Sequence, residues 1–480
     1  MTALGSVEPA LAQLDDWERR HAWHPFTASG EAALYAPLHI ARGAGPWLFD
    51  VEGNRYFDGH SSLWTNVHGH ADPDLDAALR GQLSQVAHAT WLGLCHPSAG
   101  ALAARLAALA GPGLERVFFS DNGACAVEIA LKLSRQYWQL TGRPEKREII
   151  GLAHAYHGDT LGAMAVSDSP AFHGRFADWF LPAHHLPAPS CRELAGRVYA
   201  ADAAASLRAL RELLGGRAER IAAVILEPSV QGAAGMRQQP PGYVADVAAL
   251  CREHGVHLIL DEVFVAFGRL GRMLVGKEEG VTADFLCIGK GLAGGYLPLA
   301  ATLTSNEIHA AFDGPFEAGR AFFHGHTFTA NPLACAVALA SMEKLEKLIS
   351  EGKLAERIGI FGQIFAETFA QLPVVRDVRQ RGFTAAFDVT PEKGAKDARF
   401  PPAARVGLQI CLQARRHGLI LRPLGDTMLL VPPPCSEGDE FRFLCERLHM
   451  ALLEIFARPG GPALRFADFA ATYDPRPLTN

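Results

Sequence analysis

The chain has 480 residues, of which 49% are hydrophobic and 20% are charged, and its formal net charge is −6. This composition is typical of a folded protein with two or three domains, and the mild negative charge argues against nucleic-acid and anionic-membrane binding. The nine cysteines are dispersed without a Cys-x-x-Cys pair, no secretory signal is evident, and no run reaches the roughly 18 apolar residues of a membrane span. We therefore expect a cytoplasmic protein that acts on small molecules.

The N-terminal segment, residues 1–70, contains two short alternating runs joined at the Asp-Val-Glu-Gly-Asn sequence of residues 50–54. This pattern predicts a small antiparallel hairpin. We assign the segment to a small domain that also includes residues 336–480, with a large domain over residues 71–335.

Short apolar runs alternate with amphipathic stretches through the large domain. Two of the stretches, 123–142 and 240–255, have helical periodicity. Alternating strands and helices predict an α/β fold, with a mostly parallel sheet and helices on both faces. The predicted strands are residues 116–120, 147–152, 221–228, 256–262 and 284–289.

The C-terminal segment begins at about residue 336 with a long helical pattern. Two further segments, 374–389 and the strongly apolar 419–433, follow it and precede a last helix. This order predicts an α+β domain. Residues 391–403 and 458–462 contain proline or glycine and are predicted to be exposed loops.

Two interpretations compete for the sequence around Lys290. Gly289, Gly291 and Gly294 match the G-x-G-x-x-G pattern of a dinucleotide-binding loop. Only four residues separate Gly295, at the end of this cluster, from the next apolar run, and four residues are too few for the helix that such a loop requires. We therefore favour a Schiff-base role for Lys290, at the end of a buried strand, with small neighbours that let a bulky ring approach.

Other candidate site residues also follow predicted strands. Asp261 is either a ligand-binding carboxylate at the carboxyl end of a central strand or a helix N-cap. Gly123 and Ala124 begin a predicted helix, where backbone N–H groups either hold a phosphate or form an ordinary turn. Tyr156 and His157 lie in a loop, where an aromatic ring either stacks on a flat ligand or packs locally.

Six of these segments occur in an order that resembles the class III pyridoxal-phosphate aminotransferases of fold type I, over roughly residues 20–450. Each motif alone is weakly specific, whereas six in sequence are very specific. The matching segments are residues 121–132, 156–164, 226–232, 258–271, 288–295 and 326–338.

The resemblance implies three catalytic side chains, which are Lys290, Asp261 and Tyr156. It implies that Lys290 forms the Schiff base with pyridoxal 5'-phosphate and moves the substrate proton, while Asp261 pairs with the pyridine nitrogen. It also implies a homodimer, because one phosphate contact comes from the second subunit. The implied cofactor-binding residues are Gly123, Ala124, Tyr156, His157, Glu227, Asp261, Val263, Lys290 and, from that second subunit, Thr327.

Residues 23–27, 58–70 and 422–426 narrow the resemblance to the branch whose keto acid acceptor is 8-amino-7-oxononanoate, in biotin biosynthesis. The amine donor in that branch is S-adenosylmethionine or lysine, and the sequence leaves this choice open. The resemblance implies that Arg422 binds the acceptor carboxylate and that aromatic rings line its aliphatic chain. The implied substrate-binding residues are Phe26, Trp64, Tyr156, Gly325, Arg422 and Leu424.

Several residues depart from the family pattern and put the acceptor and donor in doubt. One alternative is therefore another class III transaminase, acting on an ω-amino acid, a diamine or a polyamine. A second is a catalytically silent dimer that binds pyridoxal phosphate, against which the intact Lys290 and Asp261 argue. No histidine pair has the sequence context of a metal ligand set. The departures are Phe26, Leu63, Ala124, Phe264, Ala266, Leu270, His326 and Leu424.

Overall fold

A computed structural model describes residues 10–28, 37–391 and 398–478 of the chain. Within them, the α-helices are α1 Leu11–His21, α2 Ser61–Trp64, α3 Pro73–Leu83, α4 Pro97–Ala110, α5 Gly123–Leu140, α6 Leu161–Val166, α7 Pro170–His173, α8 Ala204–Arg217, α9 Tyr243–Glu253, α10 Val275–Glu278, α11 Asn306–Ala310, α12 Pro332–Ser350, α13 Lys353–Phe369, α14 Val406–Arg416, α15 Gly438–Ala457 and α16 Phe466–Ala470. The strands are β1 Ile40–Ala44, β2 Trp47–Asp50, β3 Arg55–Asp58, β4 Arg116–Ser120, β5 Glu148–Leu152, β6 Ala183–Leu186, β7 Ser190–Leu194, β8 Arg197–Asp202, β9 Ile221–Leu226, β10 Val230–Gln231, β11 Arg237–Gln238, β12 His257–Asp261, β13 Phe285–Ile288, β14 Ala300–Thr304, β15 Val375–Arg381, β16 Thr384–Val389, β17 Leu419–Ile420 and β18 Thr427–Leu430.

The centre of the molecule is a seven-stranded sheet in the order β4-β14-β13-β12-β9-β5-β6. β14 is antiparallel to both its neighbours, and the other strands run parallel to one another. All five predicted strands lie in this sheet. Every residue of β5, β9, β12, β13 and β14 is buried, so both faces of the sheet are covered. The predicted α/β class and mostly parallel sheet are confirmed.

The carboxyl ends of the parallel strands bring the candidate site residues to one edge of this sheet. Asp261 is the last residue of β12, and Lys290 follows β13 by two residues. Gly123 begins α5, three residues after β4 ends at Ser120. This edge is where open α/β sheets bind ligands.

A second sheet joins the two ends of the chain. β2 and β3 form the predicted antiparallel hairpin, to which β1 adds a third strand. β17 pairs in parallel with β3, with Leu419 opposite Phe57. The C-terminal segment therefore lies against the N-terminal hairpin, while the domain boundaries at residues 70 and 335 stay predictions.

The long helical pattern after residue 336 is interrupted once. α12 and α13 are separated at Glu351 and Gly352, and Gly352 has φ +71°, a left-handed conformation that favours glycine. The predicted loop 391–403 lies partly outside the described residues, and a short 3-10 turn covers 402–404. No helix among the described residues is long and apolar enough to cross a membrane.

Candidate active site

A cavity of about 680 Å³ lies at the carboxyl edge of the central sheet. Nine of the predicted site residues line it, although they come from six separate segments of the chain. Other lining residues include Asp121, Asn122, Asp159 and Phe264. The predicted residues in the lining are Trp64, Gly123, Ala124, Tyr156, His157, Glu227, Asp261, Val263 and Lys290.

Lys290 follows β13 in a short 3-10 turn and has φ +41°. Its Nζ lies 5.3 Å from the ring centroid of Trp64 and 5.7 Å from that of Phe264. Burial lowers the pKa of the Lys290 ammonium, although the carboxylates of Asp261 and Glu227 partly oppose this shift. A lower pKa increases the fraction of neutral amine, which is the form that attacks a carbonyl group.

Three glycines beside Lys290 pack closely against the rest of the protein. A Cβ atom on Gly291 would lie 3.2 Å from Phe267, and one on Gly294 would lie 2.8 Å from Leu75. A Cβ atom on Gly295 would lie 3.0 Å from the backbone of Asn66. These glycines therefore admit neighbouring protein atoms, and the clearance that they would give to a bulky ring stays a prediction. The absence of a helix after them agrees with the rejection of a dinucleotide loop.

Asp261 forms a buried pair with His157. Its Oδ2 lies 2.7 Å from Nδ1 of His157, and its Oδ1 accepts a hydrogen bond from the Val263 N–H at 3.1 Å. No helix begins at Asp261, so the N-cap alternative is not what the structure shows. Nε2 of His157 is buried and has no partner within the described residues. The imidazole therefore fixes the carboxylate in place.

Glu227 is a second buried carboxyl group of the cavity. Oε1 accepts a hydrogen bond from the Tyr156 N–H at 3.2 Å, and Oε2 accepts one from the Gly232 N–H at 3.0 Å. Burial raises the pKa of Glu227 to about 7, with His157 lowering it and Asp261 raising it further. Glu227 therefore changes charge near neutral pH beside Lys290.

This shift predicts how Glu227→Gln changes the pH dependence of stability. The folded-state pKa lies above the usual value of 4.5, so the folded protein holds the proton more tightly. The stability that Glu227 contributes is therefore fully present below pH 4.5 and is lost as pH rises towards 7, by about 3 kcal/mol. Glutamine cannot accept both N–H bonds, but this loss does not depend on pH.

The measurement compares the Tm of the cofactor-free variant and wild type between pH 5 and pH 8. We expect the Tm of Glu227→Gln to rise relative to that of wild type as pH increases from 5 to 8. Burial also raises the pKa of Glu262 to about 7. Glu262 is present in both proteins, so its contribution to the pH dependence cancels in the comparison. Parallel pH profiles would contradict a raised pKa at Glu227.

The start of α5 and the ring of Tyr156 complete the cavity. The N-terminus of this 18-residue helix, where Asn122 Oδ1 accepts from the Cys125 N–H, presents backbone N–H groups and the positive end of the helix dipole, a combination that binds phosphate. A Cβ atom on Gly123 would lie 2.4 Å from Val263, so only glycine fits there. The hydroxyl of Tyr156 donates to Asp159 at 2.8 Å. An amine, a buried acid, an anion site and flanking apolar groups suit a flat, phosphorylated aldehyde such as pyridoxal phosphate.

The remaining predicted residues do not line this cavity. Phe26 is 55% exposed, and its ring lies 5.6 Å from Phe172 and 5.7 Å from the Arg422 guanidinium. Leu424 packs against the apolar cluster that contains Phe264. Two further residues, Gly325 and Thr327, are exposed and do not contribute to the lining.

Sequence reasoning missed a contact network behind Tyr156. Nε2 of His173 lies 3.0 Å from Oδ1 of Asp159, whose other oxygen accepts from Tyr156. The rings of Tyr156 and His173 stack with centroids 5.6 Å apart. Asp159 was visible three residues after Tyr156, but no local pattern indicates His173. No group of three or more potential metal ligands occurs among the described residues.

Comparisons with known proteins agree with this geometry. Residues 28–452 match the model of the family "Aminotransferase class-III". The adenosylmethionine-8-amino-7-oxononanoate aminotransferase of Geobacter sulfurreducens is 43% identical over 441 residues, which are 92% of this chain and 97% of the relative. The crystal structure of the enzyme of the same name from Methanocaldococcus jannaschii has a TM-score of 0.86, with 36% identity over 92% of this chain and 99% of that one. An amine transaminase from an uncultivated Pseudomonas species, solved in the PLP-bound form, has a TM-score of 0.81, with 33% identity over 91% and 99%.

Proposed function

This chain belongs to the class III aminotransferases, and we propose that it transfers an amino group to 8-amino-7-oxononanoate to give 7,8-diaminononanoate in biotin biosynthesis. The observation that carries this proposal is the convergence of Lys290, the Asp261–His157 pair and the α5 N-terminus on one cavity. The identity of the proposed acceptor comes from the names of the relatives. We place the enzyme in the cytoplasm.

The proposed cofactor is pyridoxal 5'-phosphate, which supplies an electron sink for the electron pair left when a proton leaves the substrate carbon. Lys290 would bind the cofactor covalently and, once released, remove that proton and return it. Asp261 would hold the proton on the ring nitrogen, with His157 orienting its carboxylate. The N–H groups at Gly123 and Ala124 would hold the phosphate. Tyr156 and Val263 would flank the ring, and Glu227 would lie on the substrate side.

The proposed acceptor site combines aromatic surface with one arginine. Trp64 and Phe264 pack at 4.5 Å between ring centroids and line the cavity. Phe26 and Arg422 lie next to each other and are exposed in the single chain. The Arg422 guanidinium would bind the acceptor carboxylate. Tyr156, Gly325 and Leu424 complete the proposed substrate site.

We propose a homodimer, with Thr327 reaching the phosphate site of the second subunit. Thr327 is exposed and lies outside the cavity of its own chain, which supports a role across an interface. Nearby aromatic side chains are also exposed, including Phe323 at 76% and Phe316 at 80%. Exposed aromatic groups of this kind are typical of surfaces that a partner covers.

Half-reaction spectra test the proposed function. The protein loaded with pyridoxal phosphate is mixed with lysine or with S-adenosylmethionine, and the visible absorbance of the bound cofactor is followed. We expect one of the two donors to bleach this band and the acceptor 8-amino-7-oxononanoate to restore it. Failure of the acceptor to restore a bleached band would overturn the proposal.

The second candidate function is amine transamination on other substrates. The similarity to the Pseudomonas amine transaminase favours this candidate. A panel of ω-amino acids, diamines and polyamines in the same assay separates the two. Turnover with these compounds, and none with 8-amino-7-oxononanoate, would favour the second candidate.

A further inference from the structure

The short element α2, residues 61–64, has a left-handed backbone and is not a right-handed α-helix. Ser61, Ser62, Leu63 and Trp64 have φ values of +47°, +46°, +67° and +71°. None of them is glycine, and ψ is +52° at Ser62 and +49° at Leu63. L-residues adopt this conformation at a steric cost, usually singly, so the turn persists only if its surroundings hold it.

Asp58 makes the main side-chain contacts that hold the turn. Its Oδ1 accepts a hydrogen bond from the Ser62 N–H at 2.9 Å, and its Oδ2 accepts one from the Ser62 hydroxyl at 2.7 Å. Nε2 of His70 lies 3.0 Å from the same Oδ2. Burial raises the pKa of Asp58, but these bonds outweigh it and leave the pKa below its usual value, so the group is ionised. The Ser61 hydroxyl adds a bond to the Val431 carbonyl.

The turn determines where Trp64 lies. The Trp64 ring lines the cavity, 4.5 Å from Phe264 and 5.3 Å from Nζ of Lys290. Its Nε1 is buried without a partner among the described residues, so no hydrogen bond from Nε1 orients the ring. The backbone conformation and the contacts of the ring therefore determine its position. Gly232 leaves room for the ring, because a Cβ atom there would lie only 3.1 Å from it. Gly295 leaves room for the backbone of Thr65 and Asn66, which directly follow the turn.

We propose that Asp58 is a positioning residue, which holds residues 61–64 in the left-handed turn and thereby fixes Trp64 as a wall of the substrate cavity. Asp58 does not line the cavity and acts through the turn. The inference rests on the proposed function only for the identity of the substrate, because the held turn is a property of the protein itself.

The first test is Asp58→Asn in the enzyme loaded with pyridoxal phosphate. We expect KM for the acceptor to rise about 10-fold while kcat changes less than about 3-fold, because the substrate wall moves and Lys290 does not. Asp50→Asn is the matched control. Asp50 is also buried and accepts four hydrogen bonds in the same small sheet, but none of them comes from the turn. We expect Asp50→Asn to lower Tm without changing KM.

The second test uses the cofactor-free protein and does not depend on activity. Glycine adopts the left-handed conformation without steric cost, so Leu63→Gly relieves the strain that Asp58 opposes. We expect Asp58→Asn to lower Tm in the Leu63→Gly background by less than half of its effect in the wild-type background. Equal decreases in both backgrounds, or an unchanged KM in Asp58→Asn, would overturn the proposal.

These results separate the inference from the proposed function. If wild type does not aminate 8-amino-7-oxononanoate, the proposed function fails, and the kinetic test is made with the pair of substrates that wild type does use. The Tm comparison keeps its meaning in either case.

Discussion

Lys290→Ala is expected to lower the rate of amino transfer by at least about 10⁴-fold, the size of effect that follows removal of a covalent catalytic group. Among the described residues that line the cavity, Lys290 is the only one with an amine or a guanidinium group. Its pKa is lowered by burial, so the amine is suited both to bond a carbonyl carbon and to accept a proton. No other described side chain of the lining carries an amine that could form the covalent bond.

The measurement combines steady-state kinetics with chemical trapping. Borohydride reduction of the loaded wild-type protein, followed by peptide mass spectrometry, should place the cofactor on Lys290. The variant should show no such adduct, while its far-UV circular dichroism remains that of wild type. Lys277→Ala is the control, because Lys277 is exposed, lies outside the cavity lining, and donates from its Nζ to the Leu109 carbonyl. Retained turnover in Lys290→Ala would exclude the proposed role.

The positions of Lys290 and Asp261 could be predicted because the signal is local. Each follows a short apolar run, and parallel strands bring their carboxyl ends to one edge. The break between α12 and α13 was not predicted, although Gly352 lies at it. By contrast, the antiparallel direction of β14 has no local signal, because a buried run has the same composition in either direction.

The contacts that orient the site could not be predicted from the sequence. His157 meets Asp261 across 104 positions of the chain, and no periodicity encodes such a pair. The turn at residues 61–64 contradicts local preference, because Ser, Leu and Trp rarely adopt positive φ. Hydrogen bonds from Ser62 to Asp58 and from Ser61 to the Val431 carbonyl outweigh that preference, and only the folded chain brings Val431 to the turn. The His157 contact determines the position of the Asp261 carboxylate, and the turn determines the position of the Trp64 ring. The sequence had already indicated both Asp261 and Trp64 as site residues.

Asp261→Asn is expected to lower turnover by about 10²–10³-fold, the usual size of a lost electrostatic contribution in a buried site. The substitution keeps the size of the side chain and removes its negative charge. That charge is what would hold the proton on the ring nitrogen, and asparagine cannot replace it. The charge of Asp261 also raises the pKa of Lys290, so the variant should have a lower lysine pKa than wild type.

The combination of results distinguishes Asp261 from Lys290. In Asp261→Asn, borohydride should still trap the cofactor on Lys290, because the amine is intact, and the pH at which the covalent link titrates should fall. Asp284→Asn is a matched control, since Asp284 lies just before β13, at the opposite edge of the sheet, and accepts from the Leu258 N–H at 2.7 Å. This control should lower stability and leave turnover per folded protein unchanged. If Asp261→Asn behaved like Asp284→Asn, the carboxylate would be structural, and the cavity would lack the acid on which amino transfer depends.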